Sequence, residues 1–270
     1  MRKMRSIIFS KDRAAQLDLL LRSMKRFAPW IKPFVLYTTS NLNFQQGYNE
    51  CFAIHDVDNW HEEKPFRDEV LKLIECKNKY IQFLTDDDVF INEWTEEMFL
   101  SAFGNCDEEK IAGLSLRLHK GITYSYTRNQ DNPVPPIINN TWRWRKAQGH
   151  WNYPFSVDGD VYRTEHIIKA LNTCIFNNPN QLEGAGLSAV SKLFIDLPRF
   201  VCYPVPKLIN IPWNRVQDTV QNYHEGEDPD TMNDMYLKGY DIKPDNIYHI
   251  KSNAFHQPVE LEWMEHVQNM

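Results

Sequence analysis

Two rhythms of apolar positions alternate through the first third of the chain. Residues 5–10 are a short apolar run of strand length. Over 14–27, Leu17, Leu20, Leu21, Met24 and Phe27 fall on one face of a helix, and Pro29 ends it. Residues 32–39 read as a second strand, 42–51 as a short helix and 52–57 as a third strand. Residues 65–76 read as a helix with Pro65 near its first turn and Val70, Leu71 and Ile74 on one face. A strand then ends at Thr85. Strands alternating with helices predict β-α-β units and a mainly parallel central sheet flanked by helices, an α/β class. In such sheets ligands sit at the carboxyl ends of strands.

The second half has a looser pattern. Residues 111–118 and 156–162 read as strands, 164–171 as a helix, and 177–183 as the approach to another. Residues 200–211 are apolar and proline-bearing, as in an edge strand or an extended segment. Asp228, Pro229 and Gly239 supply the cap, first-turn and terminating residues of one further helix. Residues 124–154 are polar, aromatic and proline-rich, and read as a loop or lid. With no repeat and no linker, a single domain over 1–270 is expected.

Composition narrows the function. At 270 residues with 42% hydrophobic positions, the chain can bury a sizeable core. A net charge of −6 argues against a nucleic-acid partner. Five scattered cysteines without a C-x-x-C pair fit free thiols in a reducing compartment, and the N-terminal apolar run is too short for a signal peptide. A cytoplasmic protein is expected. Arg2, Lys3, Arg5, Arg22, Lys25 and Arg26 carry a further expectation of peripheral association with an anionic membrane surface.

The sharpest chemical signal is Asp86-Asp87-Asp88, set between the apolar runs 80–84 and 89–91. Adjacent carboxylates raise one another's pKa, so a positive partner is expected. Mg²⁺ or Mn²⁺ takes one or two protein carboxylates and draws other ligands from a diphosphate. In an extended segment Asp86 and Asp88 would face such an ion together while Asp87 turns aside, a D-x-D arrangement.

A strand ending in D-x-D after about 80 residues of β-α-β resembles the GT-A fold glycosyltransferases, family-2-like and of bacterial type. The likeness runs through "IIFSKDRAAQLDLLLRSM", "FRDEVLKLIECKNKYIQFLTDDDVF", "YPVPKLINIPWNRVQ" and "MNDMYLKGYDI". It implies a single GT-A (Rossmann-like) domain with a nucleotide-binding half, 1–91, and a sugar- and acceptor-binding half, 92–270. It also implies transfer of a sugar from a nucleotide-diphosphate donor, a UDP-sugar first, to a glycan or lipid-linked acceptor.

Carried over residue by residue, the resemblance makes Asp88 the main metal ligand, Asp86 a ribose or metal contact, and Asp87 a further contact of the nucleotide cofactor. Ser10, Lys11 and Arg13 would grip the nucleotide, with Arg13 alternatively a helix-surface residue. Arg67 is a further nucleotide contact or else a surface partner of Glu63. Asp56 would take a uracil N–H. His256, in "YHIKSNAFHQP", would close the metal site, ahead of His249, and its protonation below about pH 6 would weaken metal binding. Asp158, in "SVDGDVYR", would accept sugar hydroxyls. Glu183 would be the general base of an inverting transfer, with Asp158 or Asp160 next in line; Asn180-x-x-Glu183 is equally a helix-capping pattern. Trp142, Trp144 and Trp151 suit an acceptor-binding lid. The competing readings are a sugar-phosphate nucleotidyltransferase, disfavoured by the absence of glycine in "SKDRAAQ", and a non-catalytic nucleotide- or carbohydrate-binding protein.

Overall fold

The computed structural model describes residues 4–55, 57, 59–62, 65–75, 77–216 and 224–266. β1 (Met4–Lys11) leads into α1 (Ala14–Phe27), β2 (Pro33–Thr38) into α2 (Leu42–Ile54), and β3 (Asn59–Glu62) into α3 (Phe66–Ile74). β4 (Tyr80–Thr85) then runs through the acidic turn into β5 (Asp88–Phe90), followed by α4 (Glu96–Phe103) and β6 (Ile111–Leu114). β7 (Tyr124–Ser125), β8 (Gln130–Asp131) and β9 (Thr141–Arg143) are short. β10 (Val161–Arg163), α5 (Thr164–Leu171), α6 (Pro179–Leu193), β11 (Arg199–Val201) and β12 (Leu208–Asn210) come next. α7 (Pro229–Leu237), β13 (Tyr240–Ile242), α8 (Asp245–Tyr248) and β14 (Trp263–Glu265) end the described chain.

Eight strands form the main sheet in the order β3-β2-β1-β4-β10-β6-β11-β9. β1 lies parallel to both β2 and β4, β2 parallel to β3, and β6 parallel to β11. β10 runs against β4 and β6, and β9 against β11. The expected mainly parallel sheet with flanking helices is therefore present. Helices on both faces leave β1 and β4 buried almost throughout, which is why they read as apolar runs rather than alternating ones. One core packs Leu17, Leu20, Met24, Trp94 and Trp213 on one face; the other packs Phe83, Val70, Ile167, Leu182 and Trp151 on the opposite face.

Three local expectations fail for identifiable reasons. Residues 52–54 continue α2 instead of opening a strand: Asn41 caps the helix by accepting from Asn43 N and Phe44 N, and Phe44, Tyr48 and Cys51 share its buried face. The third strand starts later, at Asn59. The 124–154 segment is short elements joined by loops, but its tryptophans do not form a lid. Trp142, Trp144 and Trp151 are buried at 3%, 3% and 0% exposure. The indole N–H of Trp142 donates to Trp151 O and that of Trp144 to Leu197 O, both at 2.8 Å. These rings extend the core where β9 joins the sheet edge.

Pro229 at the start of α7 and Gly239 just after it, at φ 85°, stand where the pattern placed them. The four described cysteines, Cys51, Cys106, Cys174 and Cys202, are free and buried. Arg22 is turned to Asp18 at 2.7 Å, and Arg5 lies over the Phe34 ring, so the expected basic face is partly spent inside the fold. Arg2 and Lys3 lie outside the described residues. Among the described residues no helix is long and apolar enough to cross a membrane.

Candidate active site

The carboxylates gather at the end of β4, but not as an extended D-x-D. Asp86 and Asp87 form a tight turn between β4 and β5, so Asp87 stays among its neighbours instead of turning aside. Asp86 leans to β1: its Oδ2 accepts from Ser10 Oγ at 2.8 Å and Lys11 N at 3.1 Å. Arg13 Nη1 donates to Asp86 at 2.9 Å and to Asp87 at 3.1 Å. Arg13, its side chain only 10% exposed, is thus the positive partner that the triple Asp demanded, and not a surface residue of α1. Burial pushes the Asp86 carboxyl up to about 6 even against Arg13. Burial would raise Asp87 as well, but Arg13 and a hydrogen bond from Asn210 outweigh it and hold that group low.

Asp88 is fully buried on β5. Its Oδ2 accepts the Thr85 amide at 3.1 Å and its Oδ1 the Asn210 amide group at 3.2 Å. Burial, with Asp158 nearby, pushes it well above the usual carboxylate range. Asn210 lies opposite Asp88 because β12 pairs antiparallel with β5. Its Nδ2 also donates to Asp87 at 2.8 Å, leaving its Oδ1 to face His256 Nδ1 at 2.7 Å. A carbonyl oxygen can only accept, so this contact puts the proton of neutral His256 on Nδ1 and leaves Nε2 with a free lone pair. Burial, then Arg117, lowers the His256 pKa to about 3, well below the pH of about 6 at which the sequence places its protonation.

A second acidic group meets the first across Thr85. The Thr85 hydroxyl donates to Asp158 Oδ1 at 3.0 Å while its amide holds Asp88. Asp158 Oδ2 lies 3.2 Å from Arg117 Nη2. Gly159, at φ 87°, shapes this turn, and its N–H donates to Phe83 O at 2.7 Å. Glu183, one turn into α6, reaches back to accept the Val157 N–H at 3.1 Å. It is not the helix cap. Asn178 is the cap, accepting from Gln181 N, and Gln181 Oε1 accepts from Asn177 N. Freed from capping, Glu183 is pushed up to about 7 by burial and then by Asp158. Asp160 is buried, its Oδ2 accepting from the Tyr162 hydroxyl at 3.3 Å, and burial raises it to about 7.

The remaining expectations divide. Ser10 and Lys11 adjoin Asp86, and Ser10 Oγ also meets the Tyr48 hydroxyl at 2.5 Å. Arg67 lies elsewhere: Nε donates to Cys174 O at 2.9 Å and Nη2 to Asn172 O at 3.3 Å, tying α3 to the end of α5. Asp56 lies outside the described residues. A groove of about 590 Å³ between α4 and the β9–β11 edge, lined in part by Glu97, Ser101 and Asn139, shares no residue with the carboxylate group.

Asn210 and Arg117 belong to no metal-binding or catalytic sequence motif. Each was visible as a polar residue inside an apolar run, "KLINIPW" and "SLRLHK", where a buried polar group needs a partner. What they bind is a tertiary fact.

The donor chemistry fits a hard divalent cation: buried carboxylates in excess of their two arginines, and an imidazole with a free nitrogen. Among the described residues no three such groups stand ready as a closed cage. That suits an ion that brings further ligands from a diphosphate.

No family model matches the chain. Over 256 residues it is 28% identical to the bifunctional glycosyltransferase pgtA of Dictyostelium discoideum, covering 81% of this chain and 33% of that protein. The expected resemblance to glycosyltransferases is borne out. The chain spans about a third of that relative. Among solved structures it is similar to S. aureus TarS, at 16% identity and TM-score 0.45 over 75% of this chain and 35% of that one. It is also similar to a cytidylyltransferase from Leptospira borgpetersenii, at 13% identity and TM-score 0.45 over 77% of this chain and 78% of that one.

Proposed function

We propose that the chain is a divalent-metal-dependent glycosyltransferase unit that moves a sugar from a nucleotide-diphosphate donor, a UDP-sugar first, to a glycan or lipid-linked acceptor with inversion. The observation that carries this reading is the double grip of Thr85. Its amide holds Asp88 on the metal side and its hydroxyl holds Asp158 on the sugar side, so the two chemistries share one junction. The similarity to pgtA over most of this chain supports the class of reaction.

Asp88 and His256 Nε2 would hold Mn²⁺ or Mg²⁺, with Asp86 and Asp87 adjoining. The ion, when bound, neutralises charge on the diphosphate leaving group. Residues 1–91 bind the nucleotide, with Ser10, Lys11 and Asp86 along the end of β1; residues 92–270 bind sugar and acceptor. Asp158 orients the sugar. Glu183 accepts the proton of the acceptor hydroxyl, because a carboxyl near 7 is half ionised at neutral pH and strong enough as a base. Burial and hydrogen bonds hold these groups in place before the donor arrives, so little reorganisation remains for the reaction. Peripheral contact with an anionic membrane surface would bring a lipid-linked acceptor to the site.

A panel of nucleotide sugars with Mn²⁺ tests the reading. One donor should raise the melting temperature and release its nucleoside diphosphate when acceptor is present. Stabilisation by none of them, with no diphosphate released, rules the reading out.

A further inference from the structure

Arg117 is a buried charge for which the proposed reaction has no use. It lies just beyond β6, 1% exposed, with the Phe255 ring 3.5 Å from its guanidinium carbon. His150 stacks on Phe255 at 4.3 Å, so the guanidinium is held by a packed pair of rings. Nη2 donates to Ser156 Oγ at 3.1 Å and lies 3.2 Å from Asp158 Oδ2. Nε and Nη1 are buried with no hydrogen-bond partner among the described residues. A buried arginine with idle donors requires an explanation beyond packing, because each idle donor has lost its water without replacement.

The explanation lies in what Nη2 holds. Ser156 Oγ, which receives Arg117, itself accepts the Asp158 N–H at 3.1 Å. Arg117, Ser156 and Asp158 therefore close a ring of contacts that sets the 156–160 turn. That turn carries the Val157 N–H that holds Glu183, and Asp158, which Thr85 ties to the acidic turn. We propose that Arg117 is a positioning residue: it fixes the 156–160 turn through Ser156 and Asp158, and so places the Glu183 carboxylate beside the acceptor. The catalytic part of this statement rests on the transferase reading; the placement of Glu183 does not.

The groups facing Glu183 are Asp158, Tyr153, Ser156 and the Val157 N–H, with Arg117 as the cation acting on it. Asp158 raises the Glu183 carboxyl and Arg117 opposes it. Losing Arg117 should move Glu183 to a higher pKa.

The test uses Arg117→Gln and Arg117→Lys in the full chain. The Glu183 titration is followed by carboxyl ¹³C NMR without donor, and turnover and UDP·Mn²⁺ affinity are measured in parallel. In Arg117→Gln, Glu183 should titrate at a higher pH than in the parent. Its kcat should fall at least tenfold, with the acid limb of the pH profile moved the same way and UDP·Mn²⁺ affinity within about threefold of the parent. Arg117→Lys keeps the charge, serves as the second variant if Gln does not fold, and should restore the Glu183 titration and part of kcat. An unmoved Glu183 titration in folded Arg117→Gln, or a displaced titration in Arg117→Lys equal to that of Gln, overturns the proposal. If the parent transfers no sugar, the transferase reading fails alone, and the NMR titration still decides the role of Arg117.

Discussion

Replacing Glu183 by Gln separates catalysis from stability with opposite signs. Gln keeps the size of the side chain and its oxygen can still accept the Val157 N–H, now at 3.1 Å. It cannot take up a proton, so kcat should fall by about 10²–10⁴-fold. Donor affinity should hardly change. Stability should rise at alkaline pH. The Glu183 carboxyl moves from an ordinary 4.5 to about 7 because folding buries it beside Asp158. The folded protein thus binds this proton more tightly than the unfolded chain does. The stability it contributes is fully present below 4.5 and is lost as pH rises through about 7. With each tenfold in proton affinity worth about 1.4 kcal/mol, ionised Glu183 costs the fold up to about 3 kcal/mol at pH 8. Glu183→Gln should therefore melt several degrees higher than the parent at pH 8, and the gap should close toward pH 4. Calorimetric melts across that range, with kcat and donor Kd by titration, make the measurement. Normal turnover ends the claim that Glu183 is the base. A lower melting temperature at pH 8 refutes the burial argument, since Asn178 and not Glu183 caps the helix.

Asp88→Ala should abolish Mn²⁺-dependent UDP binding with circular dichroism unchanged, and His256→Ala should weaken it; unchanged calorimetric affinity in either removes that residue from the metal site. Arg13→Met strands Asp86 and Asp87 without their cation and should destabilise the protein by about 3–5 kcal/mol in urea denaturation. Retained stability would show that the acidic turn does not need Arg13. Trp151→Ala should cost about 3–5 kcal/mol as a core truncation, with acceptor KM in the surviving folded protein near that of the parent. A selective rise in acceptor KM would return Trp151 to the binding surface.

The alternation of apolar runs with helical spacing was enough to determine the β-α-β frame, since strands covered on both faces must be apolar throughout and helices must bury one stripe. It placed Asp86-Asp87-Asp88 at a strand end, and the caps of α7 could be read directly from Asp228, Pro229 and Gly239. Local sequence could not separate a strand from a helix extension at 52–54, where the last turn of α2 carries half-buried Phe52 beside exposed Ile54. It could not tell a tryptophan lid from a tryptophan core, because both use the same apolar rings and only neighbouring elements decide whether water reaches them. The capping pattern at Asn180 and Glu183 was a real ambiguity of spacing, resolved by Asn178 taking the backbone N–H. Asn210 lies 123 and 122 residues from Asp87 and Asp88 in the acidic turn, and Arg117 lies 41 residues from Asp158. Their partners are set by the pairing of β12 with β5 and by the fold of the 156–160 turn. Such contacts depend on which distant segments the core brings together, and that is decided by packing in three dimensions rather than by any local pattern.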